Sequence, residues 1–125
     1  MDRIIKFRGK EFPNNNWIFA SAYDQENEIF IIDFANFAVI DKTVGQFTGF
    51  CDCDGIEIFE GDIIQNTEHP ELIYRVEMIG GCWSVDYHDD GDFESVVLHW
   101  LLSMAPFKVI GNIHDNKELL ENGNA

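Results

Sequence analysis

Apolar residues occur in short runs separated by polar or glycine-bearing breaks, a rhythm that predicts strands rather than helices over most of the chain. Residues 3–8 form a first strand. Residues 17–23 and 28–34 flank the polar turn Asp24-Gln25-Glu26-Asn27 and read as a hairpin. The second arm, EIFIIDF, is apolar on both faces, which predicts a central place in a sheet. Residues 37–40 continue the strand pattern, and Pro13 with Asn14, Asn15 and Asn16 marks an early loop. Residues 72–79 and 82–87 flank Gly80-Gly81, a second hairpin signal. Residues 107–113 read as a further strand.

Helical signals are confined to the C-terminal half. Asp115 or Asn116 can cap a short helix running to residue 121, with Glu118 in its first turn and Gly123 beyond its end. Such a helix has about two turns and is too short to stand alone, so Leu119 and Leu120 must dock on the body. Residues 95–104 are ambiguous: VVLHWLLSM fits a buried strand or a short helix ended by Pro106, and periodicity does not separate the two.

The middle of the chain, TVGQFTGF followed by CDCDG and IEIFEGDII, is the densest in punctuation. Residues 43–50 suit a strand carrying Gly45 and Gly49, where glycine marks a bulge or a close backbone approach. Asp54-Gly55 is a tight-turn signal because Gly55 accepts positive φ. Ile56 and Ile58 alternate with polar neighbours as a half-buried strand does. Glu60-Gly61-Asp62 breaks that strand, and Ile63-Ile64 begins the next. Corners of this kind are found in small SH3-like barrels, where glycine relieves the bending of a sheet. The fold class expected is mainly β (α+β): an SH3-like small barrel element, additional β-hairpins and a short C-terminal helix.

Length and composition narrow this further. The 125 residues fit one domain spanning 1–125, with 46% hydrophobic residues including eleven Phe. A chain of this size buries roughly two thirds of its unfolded surface and needs no staple. No apolar run approaches the roughly 20 residues of a membrane span. The start, MDRIIKFRGK, sets charges on both sides of a two-residue apolar pair, unlike the apolar centre of a signal peptide. Three cysteines, with Cys51 and Cys53 two apart, make a poor disulfide framework for secretion. A cytoplasmic protein without a membrane partner is expected.

The net charge is −15, and its distribution is uneven. Four of the eight cations, Arg3, Lys6, Arg8 and Lys10, lie in the first ten residues; from Glu11 onward four cations face 22 carboxylates, a net of −18. Affinity for nucleic acid rests on neutralising phosphate charge, and the material for that is one short arm, so no nucleic-acid partner is expected. The acidity serves solubility, meets a basic partner, or imitates DNA. Arg3, Lys6 and Arg8, interleaved with Ile4, Ile5 and Phe7, read either as charged guards on an edge strand or as a contact to an acidic face of another subunit. Phe12, Trp17 and Phe19 follow the arm closely, and aromatics near a polar rim are common at interfaces. Arg3, Lys6, Arg8, Phe12 and Trp17 are therefore the candidate interaction surface, and a homo-oligomer is expected.

Chemical motifs are weak. An EF-hand register with Gly55 at its sixth position puts Phe50 at the first and Gly61 at the twelfth; one built on Gly91 puts His88 at the third and Val97 at the twelfth. Both fail. A looser cation site in YHDDGDFE competes with a solvated hairpin tip, the ordinary fate of a charge run. Zinc would need Cys51, Cys53 and Cys82 with His69 or His88, but C-x-C lacks the usual knuckle spacing. The alternative is two ordinary thiols at a turn and one packed in a strand. Cys82 or Ser84 with His88, and His114 with Asp115, are the available nucleophile and base pairs; no G-x-S-x-G elbow accompanies them, and Asp115 serves as a helix cap. His99, in an apolar setting, reads as a satisfied core histidine. No phosphate-binding G-x-x-x-x-G-K is present. No catalytic, metal or cofactor residue is assigned, and a small-molecule ligand is not indicated.

The segments IKFRGK, TVGQFTGF, the acidic DG turn, IFEGDII and VIGNIHDNKELL occur in that order. In this they resemble YopX-like proteins, small proteins of phages and bacterial prophages. About 45 residues at both ends and in the middle carry the resemblance. Cys51, Cys53 and Lys117 (where a proline is common) depart from the pattern without touching its core. The resemblance implies a mainly β fold with an SH3-like element and a mobile-element origin, and it implies no reaction. Gly45, Gly49, Gly55, Gly61, Asp62, Gly111 and Asn112 are the structural residues within these segments. The expected function is non-enzymatic protein interaction with self-association. An acidic DNA mimic that inhibits a host DNA-binding enzyme is the alternative, and a small hydrolase or metal-dependent enzyme the third reading.

Overall fold

A computed structural model describes residues 5–25, 29–33, 38–89 and 92–123. The protein is mainly β. Its strands are β1 (Lys6–Lys10), β2 (Trp17–Gln25), β3 (Ile29–Asp33), β4 (Gly45–Cys51), β5 (Glu57–Phe59), β6 (Asp62–Asn66), β7 (Ile73–Ile79), β8 (Cys82–Asp89), β9 (Asp92–Val97) and β10 (Phe107–Asn112). Two short helices, α1 (Leu98–Met104) and α2 (Glu118–Gly123), complete the list, with a 3-10 turn at Asp41–Thr43. The chain divides into two compact units, Met1–Gly49 and Phe50–Ala125.

The first unit is an antiparallel sheet in the order β3-β2-β1-β4. Phe7 sits opposite Ala20, and Ala20 and Phe47 are buried there. The Pro13 loop closes tightly, with the Asn15 amide donating to the Glu11 carbonyl at 2.9 Å and the Glu11 amide to the Asn16 carbonyl at 3.0 Å. Two expectations change. Among the described residues β3 is an end strand rather than a central one, because two-faced apolarity reports burial of the faces and not which edges are paired. Residues 38–40 are not a strand: Val39 forms one bridge with Glu11, and the segment is tied by the Phe12 amide to the Ala38 carbonyl at 2.8 Å. The Thr43 hydroxyl then donates to the Ile40 carbonyl at 2.6 Å and accepts from the Lys10 amide at 2.9 Å. Residue 37 lies outside the described residues, as do Arg3 and the hairpin positions 26–27.

The second unit is an antiparallel sheet in the order β10-β6-β7-β8-β9. β6 lies between two partners, and Ile63 and Ile64, which point to opposite faces, are both fully buried. Ile58, Ile64, Tyr74, Val76, Val85, Leu98 and Phe107 form the core. The Tyr74 and Phe107 rings meet at 6.1 Å with planes tilted by 44°. Ile58 is fully buried while Ile56 is exposed, because Ile56 still belongs to the turn and β5 starts at Glu57. Both answers to the ambiguity at 95–104 are realised in succession: strand through Val97, then helix from Leu98, whose buried side chain fixes α1 against β8 and β9. The helix stops at Met104 because Ala105, preceding Pro106, is extended. At the other end of the chain α2 packs against β7 with Leu119 and Leu120 half-buried.

The turn between β7 and β8 has φ of 58° at Gly80 and 86° at Gly81, the two left-handed residues of a type I′ hairpin. Gly80→Asn is therefore expected to leave stability within about 0.5 kcal/mol of the parent. Gly81→Ala is expected to lower it by about 1 kcal/mol. Urea melts of the two variants check both.

Candidate functional site

Four buried Asx side chains lock the turns of the second unit. Asp52 is the most connected. Its Oδ1 accepts from the amides of Asp54 at 2.8 Å and Ile56 at 2.9 Å, closing the Asp54-Gly55 turn. Its Oδ2 accepts from the Val109 amide at 2.9 Å, fastening that turn to β10. Asp62, almost fully buried, accepts from the Phe59 amide at 2.7 Å and holds the corner between β5 and β6. Asn66 accepts from the amides of Glu68 at 2.8 Å and His69 at 3.0 Å. Asn112 accepts from the amides of His114 and Asp115, both at 2.9 Å, and its Nδ2 donates to the Asp115 carboxylate at 3.1 Å.

Of the residues expected to be structural, Asp62 and Asn112 are themselves two of these locks, and Gly55, Gly61 and Gly111 lie in or beside the turns of the second unit. Gly61 takes φ of +88°, donates its amide to the Val76 carbonyl at 2.8 Å and accepts from the Ile113 amide at 2.9 Å. Gly111 is needed for space: a Cβ there would lie 2.5–2.9 Å from Oδ1, Cγ and Cβ of Asn116. Gly49 and Gly55 also have positive φ, and Gly45 is buried opposite Arg8. Asp52 and Asn66 are the participants that pattern reading missed. The available signal was an Asx residue followed within two or three positions by a turn (D-C-D-G, N-T-E-H), in which a short side chain accepts from amides just ahead of it.

The basic arm forms a face in the first unit. Lys6, Arg8 and Lys10 alternate along β1 and share one side with Phe19 and Trp17, their register partners across β2 for Arg8 and Lys10 respectively. The Arg8 guanidinium lies 4.5 Å from the Trp17 ring centre, and the Lys10 ammonium lies 5.2 Å from it. The Lys6 ammonium lies 5.7 Å from the centre of Phe47. Arg8 is buried, Lys6, Lys10 and Trp17 are half-buried, and Phe12 and Phe19 are exposed by 66% and 58%. The structure thus brings Lys6, Arg8 and Trp17 together and adds Lys10, Phe19 and Phe47.

α1 carries a second surface. It contains no charged residue; Trp100 and Met104, one helical turn apart, are exposed by 55% and 64%, and Val97, the extended last residue of β9, is exposed by 47%.

Among the described residues the chemical candidates do not converge. Cys51, Cys53 and Cys82 are free and exposed, so Cys82 is not packed within its strand; it is the first residue of β8, beside the glycine turn. Among the described residues no group of three or more His, Cys, Asp or Glu could hold a metal ion. Ser84 is buried, with its hydroxyl donating to the Cys82 carbonyl at 3.3 Å. His99 is exposed rather than core, with its ring 5.6 Å from that of Phe50. Asp115, expected as a helix cap, instead accepts from Asn112 Nδ2 in the turn at residues 113–115 that precedes α2. Residues 90–91 of the acidic hairpin lie outside the described residues. No helix among the described residues is long and apolar enough to cross a membrane.

Fold and locks together define a mainly β protein whose antiparallel strands are joined at corners held by buried Asx side chains. The family model described as YopX protein matches residues 5–121, and the chain belongs to that family. Among solved structures, the crystal structure of protein EF1440 from Enterococcus faecalis is similar, with 22% identity and a TM-score of 0.52. The alignment covers 95% of this chain and 99% of that one, a likeness of fold. No curated protein matches the chain.

Proposed function

We propose that the protein is a non-enzymatic interaction module of phage or prophage origin that acts in the cytoplasm and self-associates. The observation that carries this reading is the apolar surface of α1. Trp100 and Met104, one turn apart, present an exposed apolar surface on a helix without charged residues, in a chain of net charge −15. Large exposed apolar side chains grouped on one element point to an interaction site. Phe12 and Phe19 add exposed aromatics in the first unit. Short strands joined at left-handed turns at Gly55 and Gly61 support an SH3-like reading of the segment from β4 to β6.

The test is the native mass by light scattering from low to high salt at micromolar concentration. A defined oligomer is expected. A monomer at every salt, together with no retained protein in a host pull-down, would remove the proposal. The DNA-mimic reading keeps one observation in its favour: 16 of the 23 carboxylates fall in residues 50–125. Competition with duplex DNA for a captured DNA-binding enzyme would bring that reading forward.

A further inference from the structure

We infer that the face made by Lys6, Arg8, Lys10, Trp17 and Phe19 is one half of a head-to-tail interface, and that its occupant is the acidic second unit of another copy of this chain. The inference rests on the self-association proposed above and names the surfaces involved.

The charges of the two units differ. Residues 1–49 carry five cations and seven carboxylates, a net of −2; residues 50–125 carry three cations and sixteen carboxylates, a net of −13. Three of the five cations of the first unit stand on one side of one strand. Cations at alternate positions of a strand recur about every 6.7 Å, a row rather than a point. Arg8, buried against Trp17, fixes the ring, while half-buried Lys6 and Lys10 keep part of their surface in solvent at either end of the row. Phe19, exposed by 58%, stands across from Arg8 and supplies apolar area between the lysines. A charged rim around an exposed aromatic is the anatomy of an interface.

The basic row and the acid-rich unit are different surfaces of the same chain. Paired head to tail, they close into a ring or continue as a filament. An isologous dimer through this face would set like charges against each other. Charge complementarity also makes the contact salt-sensitive.

Lys6→Glu/Lys10→Glu is the first variant, with Lys6→Gln/Lys10→Gln as a milder change that removes the charge without reversing it. Light scattering is expected to show self-association weakened about tenfold or more by the first variant and less by the second. Added salt should move the wild type in the same direction. A urea midpoint close to the parent's shows that the variants fold; if the Glu variant does not fold, the Gln variant decides. Mixing supplies the discriminating arm. The Glu variant keeps its acidic unit, so it is expected to cap wild-type assemblies and reduce their mass. An oligomer of unchanged mass and salt response in both variants overturns this inference and leaves self-association standing. A wild-type monomer at every salt overturns both. Exclusion of the Glu variant from wild-type oligomers makes the interface isologous and overturns the head-to-tail arrangement. Anisotropy of a labelled oligo-dT provides the remaining contrast: micromolar binding abolished by the Glu variant gives the face to single-stranded nucleic acid and overturns the proposal.

Discussion

Asp52→Ala is expected to lower stability by about 3 kcal/mol, because three amides lose one acceptor at once. The carboxylate is 8% exposed and serves Asp54, Ile56 and Val109 at 2.8–2.9 Å. The bond to Val109 joins positions 57 residues apart, so the side chain both closes a local turn and fastens the start of β5 to β10. A buried donor left without an acceptor costs about 1–3 kcal/mol, and solvent can reach the exposed amide of Asp54 but has less access to that of Val109. Asp52→Asn separates the two functions. It retains a carbonyl oxygen for the turn amides but turns an NH2 toward the Val109 amide, donor against donor. Its expected loss is about 2 kcal/mol. Amide exchange should show Val109 deprotected while Ile56 stays protected; in the Ala variant both exchange faster. An Asn variant with parental stability and a protected Val109 amide would show that the link to β10 contributes nothing.

What made this molecule legible was turn chemistry. Gly80-Gly81 located both strands beside it, because two adjacent left-handed residues have few other uses. Gly61, with φ of +88°, and Asp62, whose carboxylate accepts from the Phe59 amide, marked the corner between β5 and β6. Ile63 and Ile64 were visible as the start of a buried strand, though not as its position between β10 and β7. Less was legible where one pattern serves two ends. EIFIIDF is apolar on both faces and still ends its sheet, since side-chain pattern says nothing about backbone partners. VVLHWLLSM contains a strand and a helix back to back, and the break at Leu98 has no side-chain cap to announce it.

The candidate surfaces divide the same way. The basic arm could be read from composition, but its alternation onto one side with Trp17 and Phe19 depended on the register of β1 with β2, which pairs Lys10 with Trp17 and Arg8 with Phe19. The exposed Trp100 and Met104 of α1 were hidden because they sit in an apolar run with Leu98, which is fully buried, and Leu101 and Leu102, which are half-buried. A hydrophobic residue shows no sign in sequence of whether it covers the core or faces outward. Asp52 and Asn66 were concealed by the opposite effect: polar letters near turns suggest solvent, whereas these are buried because their acceptors satisfy backbone amides.

Gly111→Ala is expected to lower stability by about 2–3 kcal/mol, with the loss concentrated at the C-terminal end. The added methyl would lie 2.5 Å from Oδ1, 2.8 Å from Cγ and 2.9 Å from Cβ of Asn116. Rotating the Asn116 side chain relieves the first two contacts but not the third, so the backbone itself must move. That backbone is tied, since the Asn116 amide donates to the Asn112 carbonyl at 2.8 Å and Asn116 Oδ1 accepts from the Asn112 amide at 3.3 Å. Displacing Asn116 therefore loosens the Asn112 lock and the approach to α2, which has about two turns and depends on packing against β7. Exchange at the Leu119 and Leu120 amides should rise before that of the β6 amides, a local opening rather than global loss. The double variant Gly111→Ala/Asn116→Gly tests the cause. Removing the Asn116 side chain alone forfeits its hydrogen bond, but it also clears the space, so the double variant should be about 1 kcal/mol more stable than the sum of the single losses predicts. Strict additivity would mean that Gly111 serves backbone freedom at the β10 bulge between Val109 and Gly111, and that its proximity to Asn116 is incidental.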